Sequence, residues 1–97
     1  MNQLEILRES LGQCDEIILD ALLMRNRIVE DIMAYKEANG IPILQPEQEA
    51  KQKEWLERRM ADRRHKAEVE DVFGSITQNS KRIQARKLFN YNIVLIG

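Results

Sequence analysis

Apolar residues recur at alternating spacings of three and four through the first 35 residues, a pattern that is typical of an amphipathic helix. No proline interrupts the pattern before Pro42, and Asn39-Gly40 supplies a helix stop. The pattern predicts one helix over residues 3–38, about 54 Å long at about 1.5 Å per residue. The seam consists of Leu4, Leu7, Leu11, Cys14, Ile18, Ala21, Arg25, Ile28, Ile32 and Tyr35.

Two further helices are predicted, which makes the fold class all-α with three helices and a very long first one. Pro46 begins the second helix at a position that proline favours. This helix ends in the polar stretch 62–66, a turn without glycine or proline. The third helix is predicted over residues 67–90, and its apolar stripe consists of Val69, Val72, Phe73, Ile76, Ile83 and Leu88.

The length of the first helix predicts a second chain. A compact chain of 97 residues has a radius of gyration of about 13 Å. A helix of about 54 Å, at about 1.5 Å per residue, does not fit inside such a globule. Its far end must bury its apolar face on another surface, and a second copy of the chain is the simplest partner. We therefore expect a homodimer.

The C-terminal residues change in character and predict a strand. Asn92–Gly97 is a run of β-branched and aliphatic residues that ends in glycine. The rest of the chain offers no strand to pair with it, and strand-then-glycine is how phosphate-binding loops and dinucleotide folds begin. We therefore expect a domain over residues 1–90 and the start of a following domain at 91–97. The alternative is an apolar tail docked on a helix, and a lone glycine does not decide between the two.

The charge balance excludes some partners. Fifteen basic and sixteen acidic residues give a formal net charge of −1, so there is no bulk positive field to hold nucleic acid or an anionic membrane. The charge is unevenly distributed, because residues 1–45 hold four basic and eight acidic side chains. A single cysteine, Cys14, allows no internal disulfide and no zinc set. We expect a cytoplasmic protein.

Three of the four cations in the first 45 residues are candidates for an anion-binding cluster. Arg25 occupies a seam position, where a desolvated guanidinium needs an anion or acceptors. Lys36 follows it three turns later, about 16 Å away on nearly the same face. Arg8 lies about 25 Å before Arg25 and is rotated by about 100°, so it can join such a cluster only from a second chain. The alternative is ordinary solvated charge and intersubunit ion pairing.

Polar residues also interrupt the third helix. Ser80 falls in its apolar stripe, and Gln84 follows one turn later on the same side. Serine in a helix often only bonds its own i−4 carbonyl, and Glu49 is explained equally well by the dipole of the second helix. The chain has no catalytic Ser/His/Asp or Cys/His set, metal constellation or complete glycine-rich loop. If the chain is an enzyme, its site can therefore offer only cations and neutral hydrogen-bond donors. A site of this kind suits a dianionic substrate held without a cofactor or metal.

Taken together, these residues resemble the all-helical class of chorismate mutases. The resemblance covers residues 4 to about 88 and implies an intertwined dimer of three-helix chains, with each active site built from both subunits. It implies conversion of chorismate to prephenate, an isomerisation with one substrate and no cofactor. The segments that carry it are Leu7-Arg8-Glu9, Asp15-Glu16, Leu22–Arg25, Lys36, Pro42-Ile43, Glu49, Ile76, Ser80 and Gln84.

The resemblance also implies a role for each site residue. Arg25 and Arg8 of the partner subunit would hold the two carboxylates and select the folded conformer of chorismate. Lys36 and Gln84 would donate to the ether oxygen, where negative charge grows as the C–O bond breaks. Glu49 would accept a hydrogen bond from the ring hydroxyl.

Three further positions belong to the expected substrate site. Ser80 would assist a carboxylate. Gln45 and Gln48 stand where many relatives carry an acidic residue and an arginine ahead of Glu49. Losing that arginine weakens the positive potential of the site, so we expect a working mutase of reduced efficiency.

Two questions about function stay open from the sequence. The tail Asn92–Gly97 resembles the first strand of a shikimate kinase, and a prephenate dehydrogenase begins similarly. The resemblance therefore implies a mutase domain fused to one of these two enzymes of aromatic amino-acid biosynthesis. The alternatives to a mutase are an isochorismate pyruvate lyase on the same scaffold and a non-catalytic helical dimerisation or regulatory module.

Overall fold

The chain forms three α-helices in sequence. The computed structural model describes residues 2–43 and 46–96, with side chains described up to residue 85. Helix α1 spans Gln3–Asn39, α2 spans Pro46–Met60 and α3 spans Lys66–Ile96. No strand occurs within these described ranges. The predicted all-α class, with three helices and a very long first one, is confirmed.

Both ends of α1 are fixed by capping interactions. The side chain of Asn2 accepts a hydrogen bond of 2.8 Å from the backbone N–H of Glu5 at the N-terminus. Gly40 ends the helix in the left-handed conformation, with φ at 64°. Its N–H and that of Ile41 both donate to the carbonyl of Lys36. These caps explain why an uninterrupted helix of 37 residues begins where the sequence predicted and ends one residue beyond the predicted end at residue 38.

The turn between α2 and α3 is built without glycine. It covers residues 61–65, and both Asp62 and His65 adopt left-handed backbone conformations, with φ of 59° and 60°. The N–H of Arg63 donates to the carbonyl of Met60, which closes the end of α2. The predicted turn over residues 62–66 is therefore displaced by one residue, because Lys66 already belongs to α3.

The strand that we predicted at Asn92–Gly97 is wrong for the residues that the structure describes. Helix α3 continues to Ile96, six residues beyond the predicted end at Asn90, and Gly97 lies outside the described residues. An isolated strand leaves its N–H and C=O groups unpaired, whereas a continued helix satisfies them within the segment. The strand was predicted from the apolar, β-branched composition of this segment, although the rest of the chain offers no strand to pair with it. The following domain stays a prediction.

Packing within one chain is limited. Helices α1 and α3 pack together, and the buried apolar side chains in the described part are Val29, Met33 and Leu56. Trp55 of α2 meets Phe73 of α3 edge to face, with ring centroids 5.8 Å apart. Within the part of the chain that the structure describes, these contacts leave the N-terminal half of α1 uncovered.

The α2–α3 turn is also bridged by charge. The ammonium of Lys66, at the start of α3, lies against the carboxylate of Glu57 in α2 and 3.6 Å from that of Glu70. The hydrogen bond to Glu57 raises the pKa of Lys66 above its usual value. The lysine therefore stays charged near neutral pH, although exposed ion pairs of this kind add little to stability.

The molecule is elongated, and much of its apolar surface is exposed. Its radius of gyration is 17.8 Å and its principal extents are 59 × 31 × 17 Å. A compact domain of this length has a radius of gyration of about 13 Å. None of the described helices combines the length and the apolar character that crossing a membrane requires. Large apolar side chains of α1 that remain exposed include Leu4, Leu7, Leu11, Ile18, Leu23, Ile28 and Tyr35.

Candidate functional site

Arg25 lies in the α1 seam and reaches across to α3. Its side chain is half-buried, and its guanidinium donates a hydrogen bond to the hydroxyl of Ser80. Ser80 is buried, and its hydroxyl donates in turn to the carbonyl of Ile76 at 3.1 Å. The hydroxyl thus accepts one bond and donates another, which fixes its orientation. The seam cation that the sequence singled out is therefore met by a neutral acceptor and keeps its charge available for an anion.

Lys36 lies three turns further along the same helix. Its ammonium donates to the carbonyl of Ile43 at 2.8 Å, in the segment that connects α1 to α2. A lysine ammonium carries three N–H donors, so two are left for a ligand. Because the side chain is half-buried, its free donors lie next to a partly desolvated space.

Gln84 follows Ser80 by one turn of α3. Its amide nitrogen makes a long contact of 3.4 Å to the carbonyl of Ser80. Its side-chain oxygen is buried and has no hydrogen-bond partner among the described residues. A buried amide oxygen without a partner costs free energy, which a polar ligand can recover. The amide therefore has both donor and acceptor capacity to offer.

Helix α2 forms the opposite wall. The carboxylate of Glu49 lies 2.6 Å from the ammonium of Lys81 in α3. One turn further along α2, the side-chain oxygen of Gln52 accepts a hydrogen bond of 2.8 Å from the hydroxyl of Thr77. Two polar contacts therefore join α2 to α3 beside Gln84.

These side chains surround one cavity of about 950 Å³. Ligand cavities of small molecules measure about 300–1,000 Å³, so the space is large enough for a ring compound with two carboxylates. Its polar lining is Arg25, Lys36, Gln48, Glu49, Gln52, Thr77, Ser80, Lys81 and Gln84, and its apolar lining is Val29, Ile32, Pro42, Ile43 and Ala85. We call this space the site cavity.

The charges that line the site cavity are mostly positive. Arg25 and Lys36 from α1 and Lys81 from α3 oppose the single carboxylate of Glu49. The cavity therefore carries a formal excess of two positive charges, which matches a dianion. Among the described residues, no three or more histidine, cysteine, aspartate or glutamate side chains come together as a metal site.

The structure brings together most of the predicted site residues, but not all of them. Six line the site cavity, namely Arg25, Lys36, Gln48, Glu49, Ser80 and Gln84. Arg8 is exposed and does not line it, because it lies about 25 Å before Arg25 along α1. Gln45 lies outside the described residues.

Three polar residues of the cavity were missed from the sequence. Lys81 follows Ser80 directly, and Gln52 and Thr77 bond each other across the two helices. The only signal for Lys81 was its position one turn before Gln84, on a helix whose surface is already rich in charge. Such a lysine is normally explained as a solvated side chain.

The comparison with protein families now decides the classification. The profile of the family described as chorismate mutase type II matches residues 7–85. The chain belongs to this family. It is therefore a chorismate mutase, an isomerase of aromatic amino-acid biosynthesis, and the lyase and the non-catalytic module are not favoured. No curated protein and no solved structure matches the chain.

The match spans the part of the chain that contains the predicted site residues. The matched residues 7–85 begin just before Arg8 and end just after Gln84, so they contain every residue to which the sequence assigned a role. The remainder of α3, residues 86–96, lies outside the match.

Proposed function

We propose that this chorismate mutase rearranges chorismate to prephenate by placing charge and restraining conformation, in a dimer that shares each site between two subunits. The observation that carries the proposal is the site cavity itself, where two cations of α1 face a serine and a glutamine of α3. In the reaction the ether C–O bond breaks while a C–C bond forms within one molecule. No proton or electron leaves the substrate, so the protein needs only to bind, orient and stabilise charge.

Two arginines would hold the carboxylates of chorismate. Arg25 uses one of its five N–H donors on Ser80 and keeps the others for a carboxylate. Ser80 assists the same carboxylate by fixing the guanidinium, since its single O–H is already donated to the carbonyl of Ile76. Arg8 of the partner subunit would bind the second carboxylate. Holding both ends of the substrate selects the folded conformer in which the reacting carbons approach each other.

Lys36 and Gln84 would stabilise the transition state. Negative charge grows on the ether oxygen as the C–O bond lengthens, and an ammonium and an amide N–H aimed at that atom bind more strongly as the charge develops. Both side chains retain unused donors beside the cavity. Glu49 would accept a hydrogen bond from the ring hydroxyl, and Gln48 and Gln45 would contact the same end of the substrate.

Three observations support the dimer. The N-terminal half of α1 exposes apolar side chains that its own chain does not cover, Leu7 and Leu11 at 55% and 62% exposure. The chain is more extended than a compact monomer. Arg8 does not line the site cavity of its own chain, whereas an antiparallel two-fold dimer would bring it to the cavity of the partner. In a two-fold dimer, each chain would cover the exposed apolar face of the other and supply Arg8 to the other's site cavity.

We place the reaction in the cytoplasm. The single cysteine of the chain, Cys14, is exposed and unpaired. A single cysteine cannot form a disulfide within the chain, which suits a reducing compartment.

Removing Arg25 tests the proposed site. We expect Arg25→Ala to lower kcat/KM for chorismate by about 100-fold or more, because a buried charge-assisted contact to the substrate is lost. Arg27→Ala is the matched control, since Arg27 is an exposed arginine two residues further along α1. The measurement is the loss of chorismate with identification of the product, and circular dichroism checks that both variants remain helical.

The products separate the candidate functions. Prephenate formed by the wild-type chain supports the mutase, pyruvate formed from isochorismate indicates the lyase, and a chain without turnover is a non-catalytic module. An Arg25→Ala variant that turns over chorismate as fast as the Arg27→Ala control would contradict the site assignment.

A further inference from the structure

Two contacts between α2 and α3 form one wall of the site cavity. One is the ion pair between Glu49 and Lys81, at 2.6 Å, and the other is the hydrogen bond from Thr77 to Gln52, at 2.8 Å. The same four residues also line a neighbouring cavity of about 440 Å³ between these helices. The two contacts therefore form the partition between the site cavity and its neighbour.

The ion pair of this partition adds little to the stability of the helix packing. The side chains of Lys81 and Glu49 are 38% and 39% exposed, and ion pairs with this much solvent contact stabilise a fold only slightly. The two helices also meet through the contact of Trp55 with Phe73, and Leu56 of α2 is buried. The position of the pair beside the site cavity is better explained by the site.

The charge on each wall shows what Lys81 adds. The residues of α2 that line the site cavity are Gln48, Glu49 and Gln52, so this wall carries one negative charge and no cation. Without Lys81, Arg25 and Lys36 would face an unopposed Glu49, and the net charge of the lining would fall from two positive charges to one. A dianionic substrate would then meet a carboxylate that nothing neutralises.

We propose that Lys81 is a positioning residue of the mutase site. Its ammonium binds one oxygen of Glu49 and holds the carboxylate against the partition, so that the other oxygen accepts the hydrogen bond from the ring hydroxyl of chorismate. The same contact neutralises Glu49 toward the carboxylates of the substrate. This inference rests on the proposed function, because it assigns Lys81 to a reaction that Arg25 and Lys36 carry out.

Replacing the lysine by a side chain of similar length without charge tests the inference. We expect Lys81→Met to lower kcat/KM for chorismate by about 10-fold to 100-fold, the range expected when a contact group is displaced by a fraction of an ångström to 1 Å. Lys51→Met is the matched control, because Lys51 is an exposed lysine of α2 outside both cavities. We expect the control to stay within about twofold of the wild type, and Lys81→Arg to restore most of the lost activity.

A double-mutant cycle distinguishes positioning from a general loss of structure. If Lys81 acts through Glu49, the variant that combines Lys81→Met with Glu49→Gln loses no more activity than the worse of the two single variants. Multiplicative losses in the double variant would overturn the inference, as would a Lys81→Met variant equal to the Lys51→Met control. If Lys81→Met melts at a lower temperature than the control, Lys81→Gln replaces it in the cycle.

The outcome also separates this inference from the proposed function. A wild-type chain without turnover of chorismate would overturn both. An active wild type, an inactive Arg25→Ala variant and a Lys81→Met variant of full activity would overturn only the role of Lys81 and leave the mutase assignment in place.

Discussion

Each donor of the site cavity uses only part of its hydrogen-bonding capacity within the chain, which leaves the rest available to a substrate. Arg25 and Lys36 each use one donor on a neutral protein oxygen, and the amide of Gln84 makes only a long contact. Such groups are already oriented before the substrate arrives, so little reorganisation is needed as charge develops. The carboxylate of Glu49, by contrast, is paired with Lys81 through one of its oxygens, so the donors would act on the reaction while this acceptor positions the substrate.

Gln84 gives the most direct test at the scale of single residues. Because an amide donates hydrogen bonds at every pH, we expect the wild-type rate not to require acidic conditions. Glu at this position donates only when protonated, and an ordinary glutamate has a pKa of about 4.3. We therefore expect Gln84→Glu to lose about 100-fold or more in kcat at pH 7 and to recover as the pH falls toward that value.

The measurement compares the pH dependence of kcat for the wild type and Gln84→Glu. The range from about pH 4 to about pH 8 begins near the glutamate pKa and extends past neutral pH. Gln78→Glu serves as the control, because Gln78 is an exposed glutamine of α3 that does not line the site cavity. A wild-type rate that collapses above neutral pH, or a flat profile for Gln84→Glu, would argue against the role of Gln84.

Site residues that break an apolar pattern could be predicted, whereas those on polar faces could not. Arg25 and Ser80 interrupt seams that are otherwise apolar, so the sequence itself marks them as residues that need a partner. Lys81 lies on a helix face with many other charged residues, and only the approach of α2 gives it Glu49 as a partner. Which polar side chains face a cavity depends on how two helices pack, and a single helix pattern does not contain that information.

Among the helices, the boundaries that depend on capping residues were predictable and the others were not. Asn39-Gly40 and Pro46 are local signals, and α1 and α2 end and begin where they predict. The α2–α3 turn has no such signal, because its left-handed positions are occupied by Asp62 and His65. The prediction for the C-terminal part of α3 was wrong for a different reason, since β-branched residues also form helix when no strand is available to pair with them.

His65 gives a stability prediction for this turn. A residue with a Cβ destabilises the folded state by about 1–2 kcal/mol when it adopts the left-handed conformation. Glycine destabilises it by about 0.5–1 kcal/mol, because the unfolded chain has more conformational freedom to lose on folding. We expect His65→Gly to raise the free energy of unfolding by about 0.5–1 kcal/mol, the difference of these two effects. Chemical denaturation at equal protein concentration measures it, because association also contributes to stability.

Arg64→Gly is the matched control for the turn. Arg64 precedes His65 and does not have a positive φ, so glycine there brings only the entropic cost and should lower the free energy of unfolding. If His65→Gly destabilised the protein as much as Arg64→Gly does, the left-handed conformation of His65 would not be a source of strain.

At the scale of the whole molecule, the proposed dimer explains both the extended shape and the incomplete site. Among the residues whose side chains are described, a single chain buries few that are apolar, and its Arg8 does not line its own site cavity. A second chain that covers the N-terminal half of α1 would bury that surface and bring Arg8 of the partner subunit to the open side of the cavity. The same contact would therefore contribute to both stability and catalysis.

Mixing two inactive variants tests whether each site is shared. Arg8→Ala and Arg25→Ala homodimers should both be nearly inactive, because every site in them lacks one arginine. In a mixed dimer, the Arg25 of one chain meets the Arg8 of the other and forms one intact site. After unfolding and refolding together in equal amounts, half of the dimers are mixed, so we expect about a quarter of the wild-type activity.

Equal mixing of Arg27→Ala with Arg25→Ala controls for refolding and should give about half of the wild-type activity, since each intact Arg25 still meets an Arg8. Activity in the first mixture that stays at the level of the separate variants would show that Arg8 does not act across the dimer, and the site would then have to be completed by residues of its own chain.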